Sequence, residues 1–218
     1  MNSPTTFRTD KPGAVKAAPG FEELRHALAG PWPAESSDFD LTPELRDTLP
    51  PGRRLKPAAV LIALVERPDG PGVLLTRRSR RLKAHPGQIA FPGGRVDDDD
   101  PSNWHAALRE AQEEIGLDPA RVTPLGVMPR HETVTGFDVE PHFGRVAPGF
   151  SVRAAEAEVA EVFEVPLAFL LDPANFQVHA RTWQGRTRRY FAVPWGPYYI
   201  WGATARILKA LSDRVAGA

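Results

Sequence analysis

The chain has 218 residues, 42% of them apolar and 25% charged. This is the composition of a globular protein with room for one α/β core and terminal decoration, not of a disordered or fibrous chain. Twenty-seven basic side chains balance 27 acidic ones, so no global field draws the protein to nucleic acid or to an anionic membrane. The lack of cysteine excludes disulfides, thiolate metal ligands and cysteine nucleophiles, leaving carboxylates, histidines, hydroxyls or an oxygen-bound metal to carry chemistry.

Residues 1 to about 20 are polar, rich in Pro, Thr and Ala, and read as a loose tail. Met1 to Arg8 has no apolar core of the secretory type, and the longest uncharged apolar run, Pro57 to Val65, falls far short of the roughly 20 residues of a membrane span. A soluble, cytoplasmic protein without a membrane or nucleic-acid partner is the expectation. Phe21 to Leu28 and Leu41 to Leu49 suit two short helices, separated by Gly30-Pro31-Trp32-Pro33 and closed by Pro50-Pro51-Gly52. Residues 1–54 form an N-terminal extension on this reading, and 55–218 the main domain.

Ala58 to Val65 is a continuous β-branched and aliphatic run, the pattern of a strand covered on both faces. Turn residues Pro68 to Gly72 and a second strand, Val73 to Thr76, complete a hairpin. A basic segment and a Gly/Pro-rich loop precede a helix from about Pro101 to Ile115. Strands follow at Val122 to Met128 and within Thr133 to Val146, then a helix near Val165 to Leu171. A strand pair, Phe176 to Trp183 and Arg188 to Val193, surrounds Gln184-Gly185, and a helix from about Ile200 to Val215 ends the chain. Irregular alternation with hairpins predicts a mixed sheet with helices on its faces rather than a doubly wound parallel sheet. Tyr198, Tyr199 and Trp201 suit a core or an interface, and the oligomeric state stays open.

The helix from Pro101 carries the chemistry. Asp100 is read as its cap, Pro101 as its first residue and Gly116 as its αL stop. Trp104, Ala107, Leu108, Ala111 and Ile115 fall on one side, whereas Glu110, Glu113 and Glu114 gather on another, away from the core. At helical spacings Arg109 serves Glu113, but Glu110 and Glu114 meet no cation. Two unpaired carboxylates one turn apart suit either a solvated acidic face or a hard divalent cation such as Mg²⁺ or Mn²⁺. The Phe91-Pro92-Gly93-Gly94 run just upstream favours the cation, because a glycine pair lets backbone approach a ligand closely.

Gly94 to Leu117 resembles the Nudix box, G-x5-E-x7-R-E-U-x-E-E-x-G-U with U aliphatic. Arg109-Glu110-Ala111-Gln112-Glu113-Glu114-Ile115-Gly116-Leu117 matches its second half at every specified position. The first half departs: Asp100 stands where the family has Glu, with eight residues rather than seven before Arg109, and the other alignment puts Pro101 there. Leu74 to Gly94 also resembles the second motif of coenzyme A diphosphatases in that superfamily, L-L-T-x-R-[SA]-x3-R-x3-G-x3-F-P-G-G, with Lys83 in place of the second arginine. The stretches Ile200 to Ala205 and Glu158 to Leu167 are similar to that subfamily as well.

The resemblance implies a Nudix fold, a mixed sheet sandwiched between helices (α/β/α), and metal-dependent hydrolysis of coenzyme A to 3′,5′-ADP and 4′-phosphopantetheine. It implies Glu110 and Glu114 as direct ligands of Mg²⁺ or Mn²⁺, Glu113 binding through water or at a second ion, a Gly94 carbonyl ligand, and Arg109 orienting the glutamates. Arg78, Lys83, Gly93 and Gly94 are the candidate substrate contacts. The five cations Arg77, Arg78, Arg80, Arg81 and Lys83 suit an anionic ligand with more phosphate than a metal handles. No spacing rule selects a general base among Glu113, Glu132, Glu140, Glu158 and Glu161; Glu158 is the preferred candidate. His85, His105, His131 and His142 lack paired spacing and are expected to be ordinary surface or core histidines. Another Nudix diphosphate substrate, or a non-catalytic Nudix-fold module, are the competing readings.

Overall fold

The computed structural model describes residues 19–183 and 185–217; the tail expected over residues 1 to about 20 lies almost wholly outside them. Among the described residues no helix is long and apolar enough to cross a membrane.

In chain order the elements are α1 (Phe21–Ala29), β1 (Ser36–Ser37), a 3₁₀ turn at Pro43–Thr48, β2 (Lys56–Val65), β3 (Gly72–Arg78), β4 (Ile89–Ala90), β5 (Gly93–Arg95) and α2 (Asn103–Ile115). Then come β6 (Val122–Val127), β7 (His131–Glu132), β8 (Phe137–Val146), β9 (Val159–Pro166), α3 (Leu167–Leu171), β10 (Gln177–Trp183), β11 (Arg186–Trp195), β12 (Tyr198–Trp201) and α4 (Ala203–Ala216).

The apolar run at β2 becomes the centre of a nine-stranded mixed sheet. It pairs in parallel with β8 along its whole length, from Lys56 opposite Phe137 to Val65 opposite Val146. It meets β3 only near the hairpin, at Leu64–Val73 and Val65–Gly72, and is then free to take β5 antiparallel at Ala58–Arg95 through Val60–Gly93. Because side chains alternate across a strand, Ala59, Leu61, Ala63 and Val65 pack with Ala106, Ala107, Ala111 and Ile115 of α2. Ile62 and Leu64 face the other way, onto Leu24 and Leu28 of α1, Leu170 of α3 and Leu208 and Leu211 of α4. The α/β/α sandwich and the continuous apolar character of β2 are thus one fact.

Several boundaries differ from the expectation. The helix from Pro101 starts later, at Asn103, with Ser102 as its cap. Val165 and Pro166 close β9, because Val165 still pairs with Val73, and α3 begins only at Leu167. Ile200 and Trp201 belong to β12, paired with Val193 and Ala192, so the last helix starts after Gly202. The Leu41–Leu49 segment is a 3₁₀ turn. The expected strand pair forms as β10 and β11, antiparallel from Gln177 opposite Ala192 to Trp183 opposite Arg186, as part of a separate three-stranded sheet β10-β11-β12.

The described part of residues 1–54 is tied into both sheets by a buried polar node. Asp38, on the stretch after β1, lies 3.0 Å from the Arg188 guanidinium of β11 and 3.5 Å from His131 Nε2 of β7, and it accepts from the Val134 N–H at 2.9 Å. His131 Nδ1 shares a hydrogen bond with the Ser36 hydroxyl at 2.8 Å. Burial pushes the Asp38 carboxyl up, but His131, Arg188 and the Val134 N–H together hold it below the usual carboxylate range. Arg188 is 2% exposed, and removing one partner of such a pair strands the other charge. Arg188→Met is therefore expected to cost about 3–5 kcal/mol, read as a lower urea midpoint, with much of the loss recovered on adding Asp38→Asn. An unchanged midpoint in the single variant would contradict this.

Candidate active site

The loop into α2 places the first acids. Ser102 caps the helix with its hydroxyl on the His105 N–H, so Pro101 precedes the cap and Asp100 is not the cap. Asp100 instead takes Arg109 side-on, with Nε to Oδ1 at 3.0 Å and Nη2 to Oδ2 at 2.9 Å, a two-point fork that an arginine–carboxylate pair favours. Those contacts hold the Asp100 carboxyl below, and the Arg109 guanidinium above, their ordinary ranges. The same guanidinium reaches Glu110 at 3.0 Å and Glu113 at 3.2 Å through Nη1, and donates to the Arg95 carbonyl through Nη2 at 3.1 Å. Glu110 therefore does have a cation, at i−1, a spacing the helical-neighbour rule does not cover. Glu113 is the exposed member, its side chain 58% accessible.

Glu114 does not point away from the core. It is 4% exposed, and its Oε2 accepts the Gly93 N–H at 3.1 Å. Gly93 itself has φ 149°, and a Cβ there would lie 2.4 Å from the Ala59 carbonyl oxygen, so any side chain would clash with the backbone of β2. At Gly94 a Cβ would lie 2.6 Å from the Glu110 carboxylate. The glycine pair thus lets two acids of α2 lie against the backbone of β5.

Burial pushes the Glu114 carboxyl up to about 7, against the lowering effects of the Gly93 N–H and Arg78, while Glu110 and Glu158 add to the rise. Glu110 is raised as well, chiefly by burial. Glu158, in the turn before β9, thus lies near enough for its charge to act on both glutamates.

The five-cation segment divides between faces of the sheet. Arg78 shares the α2 side with Leu74, and its Nη1 stands 3.7 Å from Glu114 Oε1. Arg77 points to the other side and pairs with Glu161 at 2.9 Å. Arg77, whose guanidinium is taken by Glu161, lines a cleft of about 470 Å³ together with Arg78, Arg80, Arg81, Ser79, Gly87 and Glu156. Lys83 is exposed in the following loop and is not among the residues lining that cleft. The Arg78–Glu114 approach was missed at the level of sequence, although the two-residue period from Leu74 to Arg78 is the signal that finds it; Arg80 and Arg81, expected there only as members of the cation run, line the cleft.

The remaining base candidates already have partners: Glu132 with Arg46 at 2.6 Å, Glu140 with His142 at 2.9 Å, and Glu161 with Arg77 and the Tyr198 hydroxyl. His131 and His142 are buried, in keeping with core histidines.

The sequence model of the NUDIX domain matches residues 55–183. NudL of Escherichia coli K12, described as an uncharacterized Nudix hydrolase, is 45% identical over 158 residues, covering 72% of this chain and 82% of NudL. NudL of Cronobacter sakazakii is 45% identical over 161 residues, with the same shares covered. Among solved structures, the NUDIX domain of Shewanella oneidensis NrtR complexed with ADP-ribose superposes with a TM-score of 0.48 at 16% identity, over 80% of this chain and 98% of that one. The chain belongs to the Nudix hydrolase family, and it is a hydrolase with the mixed sheet and flanking helices of that fold.

Nudix hydrolases generally use divalent metal ions, and the donor chemistry here fits one. Glu110 and Glu114 are oxygen donors one helical turn apart, depleted of water, with backbone close beside them. Among the described residues no three His, Asp or Glu side chains form a ready cage. Mg²⁺ needs no such cage, since it is usually held by one or two carboxylates with water and substrate phosphate completing its shell.

The raised Glu114 carboxyl has a consequence for stability. Its folded value, about 7, lies above the ordinary 4.5, so the native state keeps a proton that the unfolded chain gives up between those values, and stability falls as pH rises through that window. In EDTA, Glu114→Gln is expected to be more stable than the natural protein at pH 8 by up to about 3 kcal/mol, with the difference vanishing at pH 4. Urea titrations at both pH values check this; no gain at pH 8 would contradict the burial of a charged Glu114.

Proposed function

We propose that the protein hydrolyses the diphosphate bond of coenzyme A or its derivatives, giving 3′,5′-ADP and 4′-phosphopantetheine or its acyl form. The observation that carries this reading is the basic cleft of Arg78, Arg80 and Arg81 directly beside the acidic turn of α2, with Arg78 common to both. Coenzyme A carries a 3′-phosphate besides its diphosphate, so it needs cations beyond those that handle the scissile bond. Of these, Arg78 stands at a specified position of the motif shared with coenzyme A diphosphatases, and Arg80 and Arg81 fall at its unspecified positions.

On this reading Glu110 and Glu114 hold Mg²⁺ or Mn²⁺, the Gly94 carbonyl adds a backbone oxygen, and Glu113 binds through water or at a second ion. An ion held by these residues would supply neutralisation of the diphosphate charge and a more nucleophilic water. Arg109 keeps Glu110 and Glu113 in position while Asp100 anchors it from behind. Glu158 takes the proton of the attacking water as the new P–O bond forms and the bond to the bridging oxygen breaks. Arg78, with Arg80 and Arg81 rather than Lys83, faces the outlying phosphate, and Gly93 and Gly94 keep the floor of the site free of side chains. Residues 55–218 are the catalytic domain on this proposal and 1–54 its extension, and the work is done in the cytoplasm on a small molecule.

Product analysis by chromatography tests this. Coenzyme A with Mg²⁺ is expected to yield 3′,5′-ADP and phosphopantetheine, and nothing in EDTA. Glu110→Gln should lower turnover by more than the about 10–100-fold that follows loss of a metal's outer-shell partner, with its circular dichroism unchanged. Equal kcat/KM for 3′-dephospho-coenzyme A would remove the role of the basic cleft and favour another diphosphate substrate.

A further inference from the structure

Arg78 is held in an unusual way for a guanidinium. Side chains alternate along β3, which puts Arg78 on the α2 side with Leu74, and the β3–β9 register shifts between Arg77 and Arg78, pairing Arg77 with Glu161 but Arg78 with Val159. The extra residue, Ala160, is on β9, so the alternation along β3 is kept through Arg78. The backbone of Arg78 is fixed to the next loop, its N–H donating to Gln88 at 2.9 Å and its carbonyl accepting from Gly87 at 3.1 Å. The side chain is not fixed in that way. Nη1 lies 3.7 Å from Glu114, within charge attraction but beyond a hydrogen bond, and Nε is buried with no hydrogen-bond partner among the described residues. A guanidinium has five donors and a strong requirement to use them. This one answers the charge of Glu114 while leaving donors unused, and its other neighbour is the open basic cleft.

We infer that Arg78 is the resident counter-ion of the acidic turn in the metal-free protein, released toward the basic cleft when Glu110 and Glu114 take up a divalent cation, so that cation uptake and anion capture are coupled through one side chain. This deepens the metal-dependent reading above and rests on it. A cation ligated by both carboxylates neutralises Glu114 more completely than a guanidinium at 3.7 Å, and it repels Arg78. The freed donors then face the cleft, where a phosphate satisfies them in two-point geometry. By linkage, an anion that recruits Arg78 also favours the cation to the same degree. Arg78 is a positioning residue for the metal site and a binding residue for the anion.

Two measurements, neither using coenzyme A, test the release. In the natural protein, phenylglyoxal modification of each arginine is followed by peptide mass spectrometry with and without Mn²⁺. Mn²⁺ is expected to accelerate modification of Arg78 at least about fivefold, leaving the Glu66-paired Arg145 unchanged; an unchanged or slower rate at Arg78 overturns the inference. In calorimetry at pH 8.5, Arg78→Gln is expected to bind Mn²⁺ about fivefold more tightly than the natural protein, because the rival cation is gone, and Arg78→Lys should return the affinity toward the natural value. Equal or weaker binding by Arg78→Gln overturns it. Absence of Mn²⁺ binding to the natural protein would instead sink the metal reading itself.

Discussion

A carboxylate buried beneath a glycine backbone is the constraint on which the rest of this molecule depends. Glu114 sits almost fully out of water with one N–H, from Gly93, and one distant guanidinium to answer its charge. That arrangement requires β5 to lie flush on β2, which requires glycine where any Cβ would strike the Ala59 carbonyl. It also requires α2 to press close onto the sheet, which alanines at 106, 107 and 111 permit by keeping the helix–sheet contact thin. A desolvated acid is costly unless it is paired, protonated or metal-bound. On the proposed reading, Glu114 marks the place where the chain's stability is given up to chemistry.

The charge arrangement around that point is local rather than global. A chain with no net charge gathers Asp100, Glu110, Glu113, Glu114 and Glu158 around α2, with Arg109 threaded among three of these acids and Arg78 at the border. Past that border, Arg80 and Arg81 open a cleft of the opposite sign. A ligand carrying phosphates at two separated points matches this division, one point near the acids and their cation, the other among the guanidiniums. The pleat of β3 creates the boundary by sending Arg77 to Glu161 on one face and Arg78 to Glu114 on the other.

Much of this was legible in the residues. The apolar run at Ala58–Val65 could only be a strand covered on both faces, and Arg109 to Leu117 fixed both the helix and the identity of its acids. What stayed hidden depends on partners distant in the chain. Helical spacing gave Glu110 and Glu114 no cation, yet Arg109 bends back to the first and β3 delivers Arg78 to the second. Asp100 looked like a cap because caps are usually short polar residues, but Arg109 claims it and Ser102 takes over the cap. The burial of Glu114 follows from the path of β5, which no periodicity in three residues reveals. The short β12 was hidden for a similar reason, since Ile200 and Trp201 continue an apolar pattern into α4 and only pairing with β11 separates them.

The most direct test of the central claim is where a divalent ion goes. Crystals grown with Mn²⁺ and a diphosphate ligand, measured at a wavelength where manganese scatters anomalously, should show an anomalous peak within bonding distance of both Glu110 and Glu114. A map that shows the diphosphate bound, yet has no peak between those two carboxylates, would contradict the account.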